Sequence, residues 1–165
     1  MKKLLLISLL LLTNLFGAPR EGDQEIAFEL PSLYTPQTTL ASSSLRGKVV
    51  LLNLWASWCS GCQEEMPLFV KLQKAYPKKQ FEIVLASIDA DPQNARNFLA
   101  NVDKDKHLTS LYDKDKSLPK AYRCPGMPSS FLIDKNGKII DVYIGSLDDE
   151  SLEKLKIKIT QLIGK

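Results

Sequence analysis

The sequence predicts an α/β fold in which a central mixed sheet is flanked by helices. Three observations predict it. The apolar run Val49-Val50-Leu51-Leu52-Asn53-Leu54-Trp55 is short and β-branched at its start, as a strand buried on both faces would be. Met66, Phe69, Val70, Leu72 and Tyr76 follow at helical spacings, and residues 81–88 form a second strand-like run. Strand, helix and strand at this spacing make a βαβ unit with parallel strands and a right-handed crossover. Asn136-Gly137 then separates Phe131-Leu132-Ile133-Asp134 from a run over residues 138–145, which marks an antiparallel hairpin. Parallel and antiparallel pairs together make the sheet mixed.

Taken in order, the chain opens with Met1-Lys2-Lys3 and an apolar run over residues 4–12. A basic start and a short apolar core match a secretory signal peptide over residues 1–18, cleaved near Gly17 or Ala18. The run is shorter than the roughly 20 residues that span a bilayer. Leu15 and Phe16 are bulky where a cleavage site favours small residues, so an uncleaved N-terminal anchor stays open as the alternative. No cysteine follows the run, which excludes lipid attachment there. Either way, the folded domain over residues 19–165 is expected to be periplasmic or otherwise extracytoplasmic. It would touch a membrane only through an uncleaved leader.

Residues 27–30 and 38–40 read as two short strands around a turn, an N-terminal β-hairpin, with a single helical turn over residues 42–45. Asp91 can cap a helix with Pro92 at its first position, carrying Ala95, Phe98, Leu99 and Val102 on one side. Residues 101–107 read as a charged, solvated loop. A short extended piece over 109–112 and a short helix over 117–122 follow. Arg123-Cys124-Pro125-Gly126-Met127-Pro128 breaks the helix. The last element starts near Asp148, with acids in its first turn and lysines later, as the helix dipole favours. Its buried stripe is Leu152, Leu155, Ile159 and Leu162.

The 165 residues fit one domain of ordinary soluble composition. The formal net charge is +3; without Lys2 and Lys3 of the leader, 20 basic residues face 19 acidic ones. Such a balance gives no reason to expect nucleic acid as a partner.

The chemistry centres on Trp55-Ala56-Ser57-Trp58-Cys59-Ser60-Gly61-Cys62. The cysteine pair falls where a strand ends and a helix begins. There the first sulfur meets unpaired N–H groups and the positive end of the helix dipole, both of which stabilise a thiolate. The second cysteine can reach back one turn to close a disulfide. Two other readings compete. A zinc site needs a second such pair or two close histidines. The set Cys59, Cys62, Cys124 and His107 has no spacing that supports one, so no metal and no other cofactor is expected. An inert staple is the other, but this chain is large enough to form a core without one.

The octapeptide Trp55–Cys62, then Pro67, Met127-Pro128 and Phe131-Leu132-Ile133-Asp134, resemble a thioredoxin fold. The Phe28-Glu29-Leu30 lead-in, the Leu45-Arg46-Gly47-Lys48 approach and the added segment over residues 91–112 resemble the TlpA/ResA group. These are extracytoplasmic thiol–disulfide oxidoreductases that include the cytochrome c maturation thioredoxins. The resemblance covers about residues 26 to 163. It implies a hairpin extension before the fold and an insertion after its second parallel strand. Cys59 would be the attacking thiolate and Cys62 the resolving thiol. Trp58 would shield the pair and meet substrate, plain packing being the alternative. Pro67 would kink the helix. Met127–Pro128 would be a cis bond against the cysteines, with the Met127 backbone pairing an extended substrate.

Two departures stand out. Asn53 occupies the place of a buried aspartate in many thioredoxins, and an amide cannot titrate, so the Cys62 proton must leave through water or another group. Ser129 stands where the cytochrome maturation branch often has glutamate. Glu64 and Glu65 add negative charge just beyond the pair. Cys124 takes the place of a small apolar residue and reads as a buried, inert thiol, a regulatory thiol being the alternative. The expected activity is reduction of disulfides in secreted or periplasmic proteins such as apocytochrome c, by a monomer that draws electrons from a membrane thiol donor. The rivals are an oxidant of folding proteins, a thiolate copper-binding module and a redox-inert binding platform.

Overall fold

Every residue of Val49–Trp55 is buried, and this strand, β3, is the middle of the sheet because both of its faces carry large apolar side chains. The computed structural model describes residues 17–164. The elements are β1 (Glu29–Pro31), β2 (Thr39–Ala41), a 3-10 turn (Ser42–Leu45), β3, α1 (Ser60–Ala75), β4 (Phe81–Ser87), α2 (Pro92–Val102), β5 (Thr109–Tyr112), α3 (Ser117–Ala121), β6 (Ser129–Ile133), β7 (Ile139–Ile144) and α4 (Asp149–Ile163). The five-stranded sheet has the order β5-β4-β3-β6-β7. β3, β4 and β5 are parallel, while β6 and β7 run antiparallel to their neighbours. This is the mixed sheet of a thioredoxin fold. The insertion after the second parallel strand is α2 and β5, which add an outer parallel strand.

Strand alternation divides the core in two. Leu51 and Trp55 of β3, with Ile83 and Leu85 of β4, meet Met66 and Phe69 of α1, Ala95 and Leu99 of α2, and Leu155 and Ile159 of α4. Val50, Leu52 and Leu54 face the other way, onto Leu30 of the hairpin, Leu118 of α3, Tyr122 and Phe131. Of the α4 stripe, Leu162 is only partly buried, since it stands at the fraying end. Asp91 caps α2 by accepting the Gln93 N–H at 2.8 Å, and Asp148 caps α4 by accepting that of Ser151 at 2.8 Å. Gly137 takes φ +84°, the left-handed conformation that the β6–β7 turn needs.

The N-terminal segment is stitched along the sheet. Gly22 and Glu25 donate backbone N–H bonds to Ile139 and Gly137, both at 2.8 Å, and Ile139 donates to Asp23 at 2.9 Å. The Ile26 N–H donates to the Tyr122 hydroxyl at 3.1 Å. At the opposite edge Ser32 bridges Leu111 of β5, and the Leu33 N–H donates to the Ser110 carbonyl at 2.8 Å.

One expectation is corrected in part. Residues 104–106 are an exposed turn, as expected for residues 101–107, but the residues before them are helix and a buried cap. α2 runs on to Val102, and Asp103 is buried because its carboxylate accepts the N–H groups of His107 (2.8 Å) and Leu108 (2.9 Å), closing the turn into β5. Residues 1–16 of the expected leader lie outside the described residues. Among those described, no helix is long and apolar enough to cross a membrane.

Candidate active site

β3 ends at Trp55 and α1 starts at Ser60, so four residues turn a buried strand into a helix. Cys59 is the N-cap of α1. Its backbone is extended, its carbonyl accepts the Gln63 N–H at 3.0 Å, and its sulfur accepts the Cys62 N–H at 3.2 Å. A cysteine thus fills the place that Ser or Asp usually holds, with its sulfur at the positive end of a sixteen-residue helix. Cys59 and Cys62 are joined by a disulfide, their Cα atoms 5.2 Å apart. Cys59 keeps 9% of its surface exposed and Cys62 none.

Two other segments close over the pair. A Cβ on Gly61 would run into the Ser146 hydroxyl and lie 3.5 Å from Pro128 Cδ, so the loop before α4 and the start of β6 both press on the cysteine turn. The Met127–Pro128 bond is cis. Pro128 is buried, and its carbonyl accepts the Gly145 N–H at 2.9 Å. Met127 is half-buried and packs against both apolar clusters. Trp58 is 65% exposed, which overturns the packing alternative for its ring. Pro67 lies inside α1 and leaves the Gln63 carbonyl without its helical donor.

A buried carboxylate that the sequence did not mark as buried, Glu65, stands close along the helix. It stands three residues after Cys62, one turn along the same face of α1, and is 1% exposed. Oε1 accepts the Asn53 amide N–H at 2.8 Å, and Oε2 accepts the Leu147 N–H at 3.3 Å. Burial pushes the Glu65 carboxyl up to about 7, and these two bonds only partly counter it. Asn53 also donates to Ser130 Oγ at 2.9 Å, while its own Oδ1 has no partner. Turned over, the Asn53 amide would present that oxygen to a protonated Glu65. An amide that cannot titrate can therefore bond either state of a carboxyl that can. Glu65 adds no fixed surface charge, contrary to the expectation. The signal that would have found it is a carboxylate within the apolar stripe of Cys62, Met66 and Phe69.

The other two candidates stand apart. Cys124 follows α3 and packs, partly buried, beside the Tyr122–Phe131 cluster on the sheet face opposite Cys59 and Cys62. Burial raises its thiol, with a hydrogen bond to Ser129 as the smaller opposing effect. Cys124→Ala is expected to leave thiol exchange at the wild-type rate and to lower stability by roughly 1 kcal/mol, the worth of one buried CH2-sized group. Matched urea melts and turnover assays check it; a folded but inactive variant would give this thiol a redox role. His107 is paired with Asp105 at 3.6 Å on the surface.

A family model described as Redoxin matches residues 20–156. The chain belongs to the Redoxin family. Among its relatives, the thiol-disulfide oxidoreductase ResA of Bacillus thuringiensis is 33% identical over 144 residues, 86% of this chain and 82% of that one. The thioredoxin-like protein YneN of Bacillus subtilis is 32% identical, over 82% of this chain and 78% of its own. In structure, the thiol:disulfide interchange protein DsbE from Chlorobium tepidum superposes with a TM-score of 0.79 at 34% identity, covering 88% of this chain and 99% of that one. This Redoxin-family chain is a thioredoxin-like thiol–disulfide oxidoreductase of the ResA and DsbE type.

Proposed function

We propose that this protein works outside the cytoplasm as a reductant of disulfides in secreted or periplasmic proteins, apocytochrome c among them. The observation that carries the reading is the unequal setting of the two sulfurs. Cys59 caps α1 and keeps 9% of its surface exposed, while Cys62 is fully buried one turn from buried Glu65. In the dithiol form, the Cys59 thiolate attacks a substrate disulfide. That S–S bond breaks, one substrate sulfur leaves as a thiolate, and a mixed disulfide joins Cys59 to the other. Glu65 takes the Cys62 proton. The Cys62 thiolate then attacks the Cys59 sulfur and expels the second substrate thiolate. Two electrons have passed to the substrate, and the protein holds the Cys59–Cys62 disulfide until a membrane thiol donor reduces it. Exposed Trp58 and the Met127–Pro128 backbone meet the extended substrate segment, the backbone through added strand pairing.

Direction follows from what stabilises the thiolate. Ser60 and Gly61 carry no charge, so only the helix dipole and local N–H groups favour Cys59. A dipole near a surface contributes about 0.3–1 kcal/mol. Thioredoxin and the oxidant DsbA differ by about 150 mV, or roughly 7 kcal/mol. The expected potential is therefore near thioredoxin's value of about −270 mV, with Cys59 titrating closer to thioredoxin's cysteine than to DsbA's. Equilibration against a glutathione series, with thiolate absorbance followed against pH, measures both. A potential near about −120 mV would move this protein to the oxidants.

A further inference from the structure

Asp89 lies just past the C-terminal end of β4 and is 1% exposed. Its carboxylate is spent on Ser57. The Ser57 N–H donates to Oδ2 at 3.0 Å and Oδ1 at 3.3 Å, and the Ser57 hydroxyl donates to Oδ1 at 2.6 Å. The Ser87 hydroxyl completes the set, donating to Oδ2 at 2.8 Å. Among the described residues no cation pairs with this carboxylate, so three neutral donors hold a buried acid. The remaining polar group of Ser57, its carbonyl, accepts from Gln63 Nε2 at 2.5 Å.

Ser57 sits inside the turn that presents the reactive sulfur. The Cys59 N–H donates to the Ala56 carbonyl at 3.2 Å, so residues 56–59 form one tight turn with Ser57 and Trp58 at its centre. The Trp58 ring is largely in solvent and does not anchor that turn. Asp89 does.

We propose that Asp89 is a positioning residue for thiol exchange, acting through Ser57 to hold Cys59 in register with Cys62 and so favouring the disulfide over the dithiol. This rests on the oxidoreductase reading and adds a residue to it. Two effects act in the same direction. A fixed turn raises the effective concentration of one sulfur at the other, which favours ring closure. A carboxylate bound to the Cys59 turn through Ser57 adds negative charge to that turn, which opposes thiolate formation there.

The test is the potential of the full chain, equilibrated against glutathione, for Asp89→Asn, Ser57→Ala, both together, and Ser87→Ala. The expected result is a shift toward the dithiol of about tenfold for Asp89→Asn, which is ~30 mV to less negative potential. Ser57→Ala should shift the same way by less, and the double variant no further than Asp89→Asn alone, because both act through one link. Ser87→Ala removes a bond to the same carboxylate outside the turn, so its potential should stay at the wild-type value while its melting temperature falls. Unchanged potentials in both Ser57→Ala and Asp89→Asn, strictly additive shifts, or an equal shift in Ser87→Ala would each overturn the proposal. If Asp89→Asn does not fold, the contrast between Ser57→Ala and Ser87→Ala decides. A wild-type chain inert to glutathione would overturn the oxidoreductase reading itself, whereas an active wild type with unshifted variants would overturn only the role of Asp89.

Discussion

Cys59→Ser is expected to reduce disulfide exchange to the uncatalysed background, while Cys62→Ala stops at a covalent mixed disulfide with its substrate. A hydroxyl is not ionised near neutral pH, so the serine variant has no nucleophile to offer. The alanine variant keeps the sulfur that caps α1 and loses only the one that would release the product. Non-reducing electrophoresis after mixing with a disulfide-bonded protein should show a shifted band for Cys62→Ala that thiol reductant removes. Limiting alkylation of the reduced wild type should label Cys59 first, because Cys62 is sealed. Labelling of Cys62 first, or adducts on Cys59→Ser, would reverse the two roles. Proteins trapped on Cys62→Ala would also name the substrate.

Glu65→Gln should change stability and rate in ways that pH separates. The folded-state value of about 7 stands above the ordinary 4.5. The native state therefore holds the Glu65 proton more tightly than the unfolded chain does. That contribution is fully present below about pH 4.5 and is lost as pH rises through 7. At 1.36 kcal/mol per unit, the change amounts to about 3 kcal/mol. Glutamine does not titrate, so the variant should gain about that much on the wild type between pH 4.5 and pH 8. Urea melts of both proteins across this range measure it; parallel curves would mean that Glu65 does not titrate near 7. The same substitution removes the proposed Cys62 proton acceptor, and turnover should fall about a hundredfold, within the usual range for one acid–base group. Mixed disulfide should accumulate in consequence. Asn53 can turn its amide to accept from glutamine, so the fold is not at risk.

Much of this was legible in the sequence because local rules and tertiary packing agree there. The 3-10 turn at residues 42–45, the Asp91 and Asp148 caps and the Asn136-Gly137 turn each carry their own signal, and each element stands within a residue or two of where it is expected. The cysteine pair was legible for the same reason, since spacing alone puts it at a helix start. What was hidden lies in acids that the fold buries. Asp103 reads as one more charge in a charged stretch, yet two backbone N–H groups at 107 and 108 draw it inside. Asp89 reads as a loop residue until β3 and β4 are laid side by side and Ser57 comes within reach. Glu65 stands next to exposed Glu64, and only the helical phase separates them. In each case the burial depends on a partner distant in sequence or on a backbone turn that composition does not show. Trp58 shows the reverse: it follows a buried strand, and the turn carries its ring out.

The two flanks of the five-stranded sheet have different neighbours but a common guard. Residues 22–25 lie along the start of β7, and residues 32–33 meet β5, so one stretch of chain ahead of the cysteines covers part of each outermost strand. Unpaired strand edges invite other chains to add on, and that is the usual route from a folded sheet to an insoluble aggregate. A protein that exchanges disulfides must come close to partly unfolded clients, whose own loose strands would seek such edges. Here the covered stretches leave fewer such places, while the exposed Ile144 marks the uncovered far end of β7 and Trp58 lies in the cysteine turn. By that rule, the N-terminal stretch limits where another strand could add to the sheet.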